Sequence, residues 1–227
     1  MTRSYSVVIP AYNAQATIAE ALNSVLGQTF PVAAIYVVDD GSTDRTAERA
    51  AEVADIITVI RKENGGPGSA TSAGLRAATT DYVATLDSDD IWLPEKMERQ
   101  IAHLEDDPGV AAVFSLAKVF PDGSPPDPDK YQQVVRLWTR TTMVYRTPAS
   151  REIGEMRDFP GNLGDLVDWL GRGRDLGHRH HMLEEVLAMR RKRPGSLSDT
   201  GGSDRVKGYL HAARDAIERR KRMEQGS

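Results

Sequence analysis

The 227-residue chain contains no cysteine, so neither a disulfide framework nor a thiolate metal site is open to it, and a reducing cytoplasm is the expected compartment. It also lacks any apolar run approaching the roughly 20 residues needed to span a bilayer. The first apolar stretch, Val7-Val-Ile9, breaks at Pro10 and is too short for the core of a signal peptide, so a soluble protein is expected. Internal repeats are missing as well. The net charge of −4 argues neither for nor against nucleic acid, and no nucleic-acid partner is expected. Its distribution is more informative: residues 1–170 hold 15 Lys and Arg against 25 Asp and Glu, whereas residues 171–227 hold 14 against 8, so an acidic body carries a basic tail. At this length a single α/β domain with a C-terminal elaboration is the simplest organisation.

Apolar runs alternate with amphipathic stretches. Residues 6–9, 35–38, 56–60 and 83–86 read as buried strands. Residues 16–26, 44–53, 69–78 and 94–104 read as helices, the second capped by Ser42-Thr43. This alternation predicts a mostly parallel, Rossmann-like sheet with helices on both faces, which puts ligands at the carboxyl ends of the strands. After residue 108 the rhythm changes. Strands are expected at 110–118 and 140–146, a Pro/Asp-rich loop at 121–128, a loop at 147–163 and a helix at 163–176 stopped by Gly177. An edge strand is expected at 185–190, a loop at 194–203 and a basic helix at 204–223.

A polar cluster follows each of the first four strands: Pro10-Ala-Tyr-Asn13, Asp39-Asp-Gly-Ser-Thr-Asp44, Asn64-Gly-Gly-Pro-Gly68 and Asp87-Ser-Asp-Asp90. In the last of these, residues i and i+2 past a strand point the same way, so Asp87 and Asp89 can face one Mg²⁺ or Mn²⁺ ion and one diphosphate. Asp90 fits a turn and helix-cap role ahead of Pro94. Four polar loops on one rim favour a site over four coincidental turns.

These residues, in this order, resemble the family 2 glycosyltransferases of the GT-A fold. The matching pieces are Val7-Val-Ile-Pro-Ala-Tyr-Asn13, Gln28-Thr-Phe30, Val37-Val-Asp-Asp-Gly-Ser-Thr-Asp44, Asn64-Gly-Gly-Pro67, Leu86-Asp-Ser-Asp-Asp90 and Trp92-Leu-Pro-Glu-Lys96. The resemblance implies metal-dependent, inverting transfer of a sugar from a nucleotide-sugar, UDP-linked by preference, to an acceptor. It assigns Asp40, with Asp39 behind it, to the base, and Pro10 and Tyr12 to the nucleoside wall, with Gly66 and Ser88 among the donor contacts. It also puts Asp87 near the ribose and the cation, and Asp89 on the cation bridging both phosphates. In these terms residues 1–108 form the donor half, 109–200 the acceptor and catalytic-base half, and 201–227 a basic C-terminal helix.

The chain departs from the family pattern in three places. The Glu-Asp pair that carries the base in many relatives is replaced by Gly164-Asp-Leu-Val-Asp-Trp169, leaving Asp165 or Asp168 as base, with Asp165 favoured. Ala70-Thr-Ser72 stands where relatives often have Ala-Arg-Asn. Arg190-Arg-Lys-Arg193 places Arg193 where many have His, and an arginine clamps a diphosphate rather than ligating a metal. Of His178, His180 and His181, at most two share a strand face, and surface or acceptor-side roles are expected. Arg219-Arg-Lys-Arg222 reads as a solvated helix face, with docking on anionic lipid at the inner face of the membrane as a weaker expectation. The acceptor class, whether saccharide, lipid-linked, peptide or small molecule, is not encoded in any motif, and nor is the oligomeric state. Two other functions compete: a sugar nucleotidyltransferase, which would want a basic Gly-rich loop after the first strand, and a non-catalytic nucleotide-sugar-binding protein.

Overall fold

In the computed structural model, which describes residues 3–193 and 203–225, the first half of the chain winds as a parallel α/β unit. Its elements are β1 (Tyr5–Ala11), α1 (Ile18–Leu26), β2 (Ala34–Asp39), α2 (Thr46–Ala51), β3 (Ile57–Arg61), α3 (Pro67–Ala77) and β4 (Tyr82–Thr85). The strands pair in the order β3-β2-β1-β4, all parallel. Every residue of β1 and β4 is buried, which is why both strands read as near-continuous apolar runs. Alternation along β1 splits the core. Val7 and Ile9 pack with Ile18, Leu22 and Val25 of α1, whereas Val8 packs on the opposite face with Ala70 and Leu75 of α3. Each such fully buried aliphatic side chain contributes about 1.5–3 kcal/mol. Gly74 lets α3 approach closely, because a Cβ there would lie 2.2 Å from Val8 Cγ1.

The second half adds β5 (Ile91–Trp92), α4 (Lys96–Asp106), β6 (Val110–Pro121), β7 (Val134–Val135), β8 (Val144–Arg146), α5 (Thr147–Ile153), α6 (Asp165–Asp175), β9 (Arg179–Lys192) and α7 (Ser203–Gln225). The nine-stranded sheet runs β3-β2-β1-β4-β8-β6-β9-β5, with β7 beside β6. β8 is antiparallel to both β4 and β6, so the sheet is mixed rather than parallel throughout. Trp169 of α6 is wholly buried and its indole N–H donates to Gly154 O at 2.7 Å, locking the helix onto the segment before it.

Several expectations are corrected. The second helix starts at Thr46, not 44, and its first N–H is met by Asp44 Oδ1 at 2.9 Å. Ser42 and Thr43 are instead tied across to Asn13, so they cap nothing. The expected strand at 140–146 begins as a 3₁₀ turn, Arg140–Thr142, and only three residues are extended. The expected loop at 147–163 contains α5, opened by Pro148 in its first turn. The short edge strand is the middle of 14-residue β9, which is flanked by β6 on one side and β5 on the other. The helix expected from 163 starts at Asp165, after Gly164 at φ 102°. Residues 194–202 of the expected loop lie outside the described residues.

A carboxylate-lined candidate active site

The carboxyl ends of β1, β2 and β4 open into a cavity of about 590 Å³. Pro10 and Tyr12 line it from β1, Asp40 from β2, Gly66 and Ala70 from the start of α3, and Asp87 to Asp90 from the turn after β4. Arg140, Asp165, Val167 and Arg193 close it from the second half, and Tyr209 of α7 reaches in beside Trp138 and Leu163. Tyr12 keeps half of its surface exposed, so its ring is free to stack on a planar ligand.

Asp40 organises the loop between β3 and α3. One of its oxygens accepts from Lys62 Nζ at 2.7 Å and Gly65 N at 3.0 Å, and the other from Gly66 N at 2.8 Å. Gly66, at φ 98°, has no room for a Cβ, which would meet Asp158 Oδ1 at 2.5 Å. Asp158 itself caps α3, accepting from Gly68 N and Ser69 N at 2.8 Å each. Asp39 sits behind the rim, bound to Ser42 N at 3.0 Å and 4.0 Å from Arg61 Nε, and does not line the cavity.

Asp87 and Asp89 both face the cavity, as alternation past a strand demands. Burial raises the Asp89 carboxyl above its usual range and the charge of Asp87 raises it further, against the opposing pull of Arg193 and Arg191. Arg193 Nη2 lies 3.0 Å from Asp89 Oδ2. Two hard carboxylates facing one cavity suit a divalent cation, with the remaining coordination positions left to phosphate oxygens and water. No group of three His, Cys, Asp or Glu poised to hold a metal occurs among the described residues. Asp90, expected as a cap, is instead a buried strut that accepts from Arg191 N at 2.7 Å and from the Thr141 hydroxyl. Burial pushes its carboxyl well up, and Asp89 and Asp87 push in the same direction.

The two candidate bases part company. Asp165, buried in the first turn of α6, lines the cavity with its Oδ2 against Arg140 Nη2. Arg140 Nε also donates to Thr71 Oγ1 at 3.0 Å, so this guanidinium lies over the position where the family's Arg was missed in Ala70-Thr-Ser72. Asp168 faces away from the cavity into a set of arginines. The histidines hold no common ligand set. Tyr145 Oη lies 2.6 Å from His180 Nε2, His178 pairs with Glu152 at 2.9 Å, and His181 stacks on His103 with centroids 4.0 Å apart.

Arg140, Asp158, Trp138 and Tyr209 escaped the sequence reading. Each is isolated within a segment of no motif, and only the fold brings them to the rim. A lone arginine between threonines at 139–142, in a chain lacking the Arg beside Ala70, was the one usable signal.

Comparison with known proteins gives the family and the fold. The sequence model of "Glycosyl transferase family 2" matches residues 6–157. Over 99 residues the chain is 38% identical to the UDP-Glc:alpha-D-GlcNAc-diphosphoundecaprenol beta-1,3-glucosyltransferase WfgD of Escherichia coli, covering 43% of this chain and 39% of that protein. Over another 99-residue match it is 44% identical to the succinoglycan biosynthesis protein ExoW of Rhizobium meliloti, covering 40% of this chain and 31% of the relative. The chain thus spans less than half the length of these relatives. Staphylococcus aureus TarS, residues 1–349 in complex with UDP-GlcNAc, shares the fold at TM-score 0.72 and 24% identity, over 94% of this chain and 65% of TarS. The glucosyl-3-phosphoglycerate synthase of Mycobacterium tuberculosis, with Mn²⁺, UDP and phosphoglyceric acid, does so at 0.67 and 21%, over 94% of this chain and 78% of the synthase. Both likenesses place the sheet among GT-A folds.

Proposed function

The chain belongs to glycosyl transferase family 2, and from that membership and the cavity we propose that it transfers a sugar, with inversion, from a UDP-linked donor to an acceptor hydroxyl. The observation that carries this reading is the convergence of Asp40, Tyr12, Asp87, Asp89 and Asp165 on one cavity from both halves of the chain. UDP or UDP-sugar complexes of the structural neighbours support the choice of uridine.

In this reading Tyr12 and Pro10 wall the base. Asp40 spends three acceptor positions on the Gly65–Gly66 turn and Lys62, which leaves about one of a carboxylate's four for an imide N–H of the base. Asp87 and Asp89 would hold Mn²⁺ or Mg²⁺, whose charge would offset that of the diphosphate leaving group. Arg193 releases Asp89 to clamp the diphosphate. Asp165 takes the proton of the acceptor hydroxyl as its oxygen bonds to the anomeric carbon; the bond from that carbon to the diphosphate oxygen breaks, and nucleoside diphosphate departs. Arg140 keeps Asp165 oriented. Asp168 is assigned a structural role, and Asp39, Gly66 and Ser88 shape the donor loops.

One feature favours contact with a membrane surface. The outer face of α7 carries exposed Leu210 and Ile217 with Arg214 and Lys221 on the same helical face, and no helix among the described residues is long and apolar enough to cross a bilayer. Cosedimentation with anionic vesicles at low salt tests this contact.

The transfer reading is tested by screening nucleotide-sugars with Mn²⁺ or EDTA, following the thermal midpoint and release of nucleoside diphosphate. The expected result is metal-dependent stabilisation and slow hydrolysis with a UDP-sugar. Stabilisation without any release, even with acceptor extracts present, would favour a binding protein instead.

A further inference from the structure

Behind α6, on the side away from the donor cavity, Arg157, Arg172, Asp215, Arg219 and Arg222 line a second cavity of about 260 Å³. Behind these arginines lies the buried Asp168 carboxylate. Arg157 grips it with Nε at 3.1 Å and Nη2 at 2.6 Å, Arg172 Nε lies at 3.1 Å and Arg219 Nη1 at 3.4 Å. Asp215 takes the remaining arm of Arg157 at 3.2 Å. Asp175, in the last turn of α6, accepts from Arg219 Nε at 2.7 Å and Arg220 Nε at 3.1 Å.

Five guanidiniums therefore meet three carboxylates. Glu218, one turn back along α7 from Arg222, is held by Arg214 at 2.9 Å. A network that served only to fasten α7 to α6 would close with matched charges and no idle donor, because buried unpaired charge is costly. Here Arg219 Nη2 is buried and makes no hydrogen bond, four arginines line the cavity against the single lining carboxylate of Asp215, and the network as a whole has two more guanidiniums than carboxylates.

We propose that this cavity binds a phosphoryl dianion, either free phosphate or a phosphate monoester carried on a larger molecule. The surplus of two charges matches the dianion, and planar guanidinium forks match its oxygens. Arg222 and Arg157 close the rim, and Arg219 Nη2 lies buried behind it as an idle donor. Asp165, in the first turn of α6, lines the donor cavity, and Asp168, in the same turn, is held by three arginines of the second.

The test is isothermal titration of the full chain with inorganic phosphate and, separately, with glycerol 3-phosphate, at constant ionic strength. It needs no turnover, so its outcome is independent of the glycosyl-transfer reading. Both probes should bind; if inorganic phosphate alone binds, the site takes the free ion, and the proposal stands in that form. Arg222→Gln, at an exposed position where folding is safe, should weaken binding about tenfold or more. Arg214→Gln, on the opposite face of α7, and Arg193→Gln, in the donor cavity, should leave the affinity unchanged. Binding of neither probe, equal affinity in Arg222→Gln, or loss in Arg193→Gln would overturn the proposal.

Discussion

Asp165 and Asp168 stand one turn apart on α6, yet the first meets a single arginine inside the donor cavity and the second meets three arginines outside it. One helix turn thus separates a carboxylate available to a substrate from one consumed by structure, and the two substitutions should separate as well. Asp165→Asn should lower turnover by about 10²–10⁴-fold while the donor still raises the thermal midpoint. Asp168→Asn should instead cost about 3–5 kcal/mol of stability, with the folded fraction keeping its kcat. The opposite pattern in paired denaturation and turnover measurements would move the base to Asp168.

Asp89→Asn should abolish Mn²⁺-dependent stabilisation and turnover while leaving the metal-free thermal midpoint unchanged or higher. Burial and the charge of Asp87 already disfavour ionised Asp89. A neutral amide therefore relieves the folded state. For the same reason metal affinity in the unaltered protein should weaken on acidification at a pH above the usual carboxylate range. Titrations with Mn²⁺ across pH check both.

Burial, helped by Arg174 and His178, pulls the His180 imidazole down to about 4 from 6.5. The unfolded chain then takes up a proton near 6.5 that the folded chain refuses. The resulting stability is complete above pH 6.5 and drains away as the pH falls towards 4. His180→Gln retains an acceptor for the Tyr145 hydroxyl and should flatten this part of a plot of Tm against pH. An unchanged slope would assign it to other groups.

At Gly208 a Cβ would lie 2.2 Å from Leu163 O and 2.7 Å from Pro160 O. Gly208→Ala should therefore push α7 off the 160–164 segment, costing about 1–3 kcal/mol. Because that segment leads straight into Asp165, kcat should fall along with stability. A variant with full kcat would show that Asp165 is positioned without α7.

The first half of the chain was legible because each strand announces itself as an apolar run and each strand end as a polar cluster, so Pro10, Tyr12, Asp40, Asp87 and Asp89 could be expected on one rim. Asp39 and Asp168 are chemically plausible from sequence, but a carboxylate's surroundings are set by side chains far away in the chain: Arg61 for one, Arg157 and Arg219 for the other. Asp90 misled for a similar reason. Its spacing from Pro94 suits a cap, but its partners are Thr141 and Arg191, which no local pattern connects to it. β9 read as a short edge strand because polar Glu184 and Glu185 interrupt its apolar alternation, although pairing with β6 and β5 carries it through.

The strut from Asp90 to the backbone of Arg191 spans 101 residues of chain, and Arg193 lies just beyond it. During synthesis the parallel half emerges first and can bury its own strands, but the carboxylate turn after β4 has no roof until β9 has left the ribosome and paired. The nascent protein therefore carries an open, acidic, incompletely braced pocket until the 101 residues that lead from Asp90 to Arg191 have followed it. The brace on the acidic turn thus arrives late, with the pairing of β9.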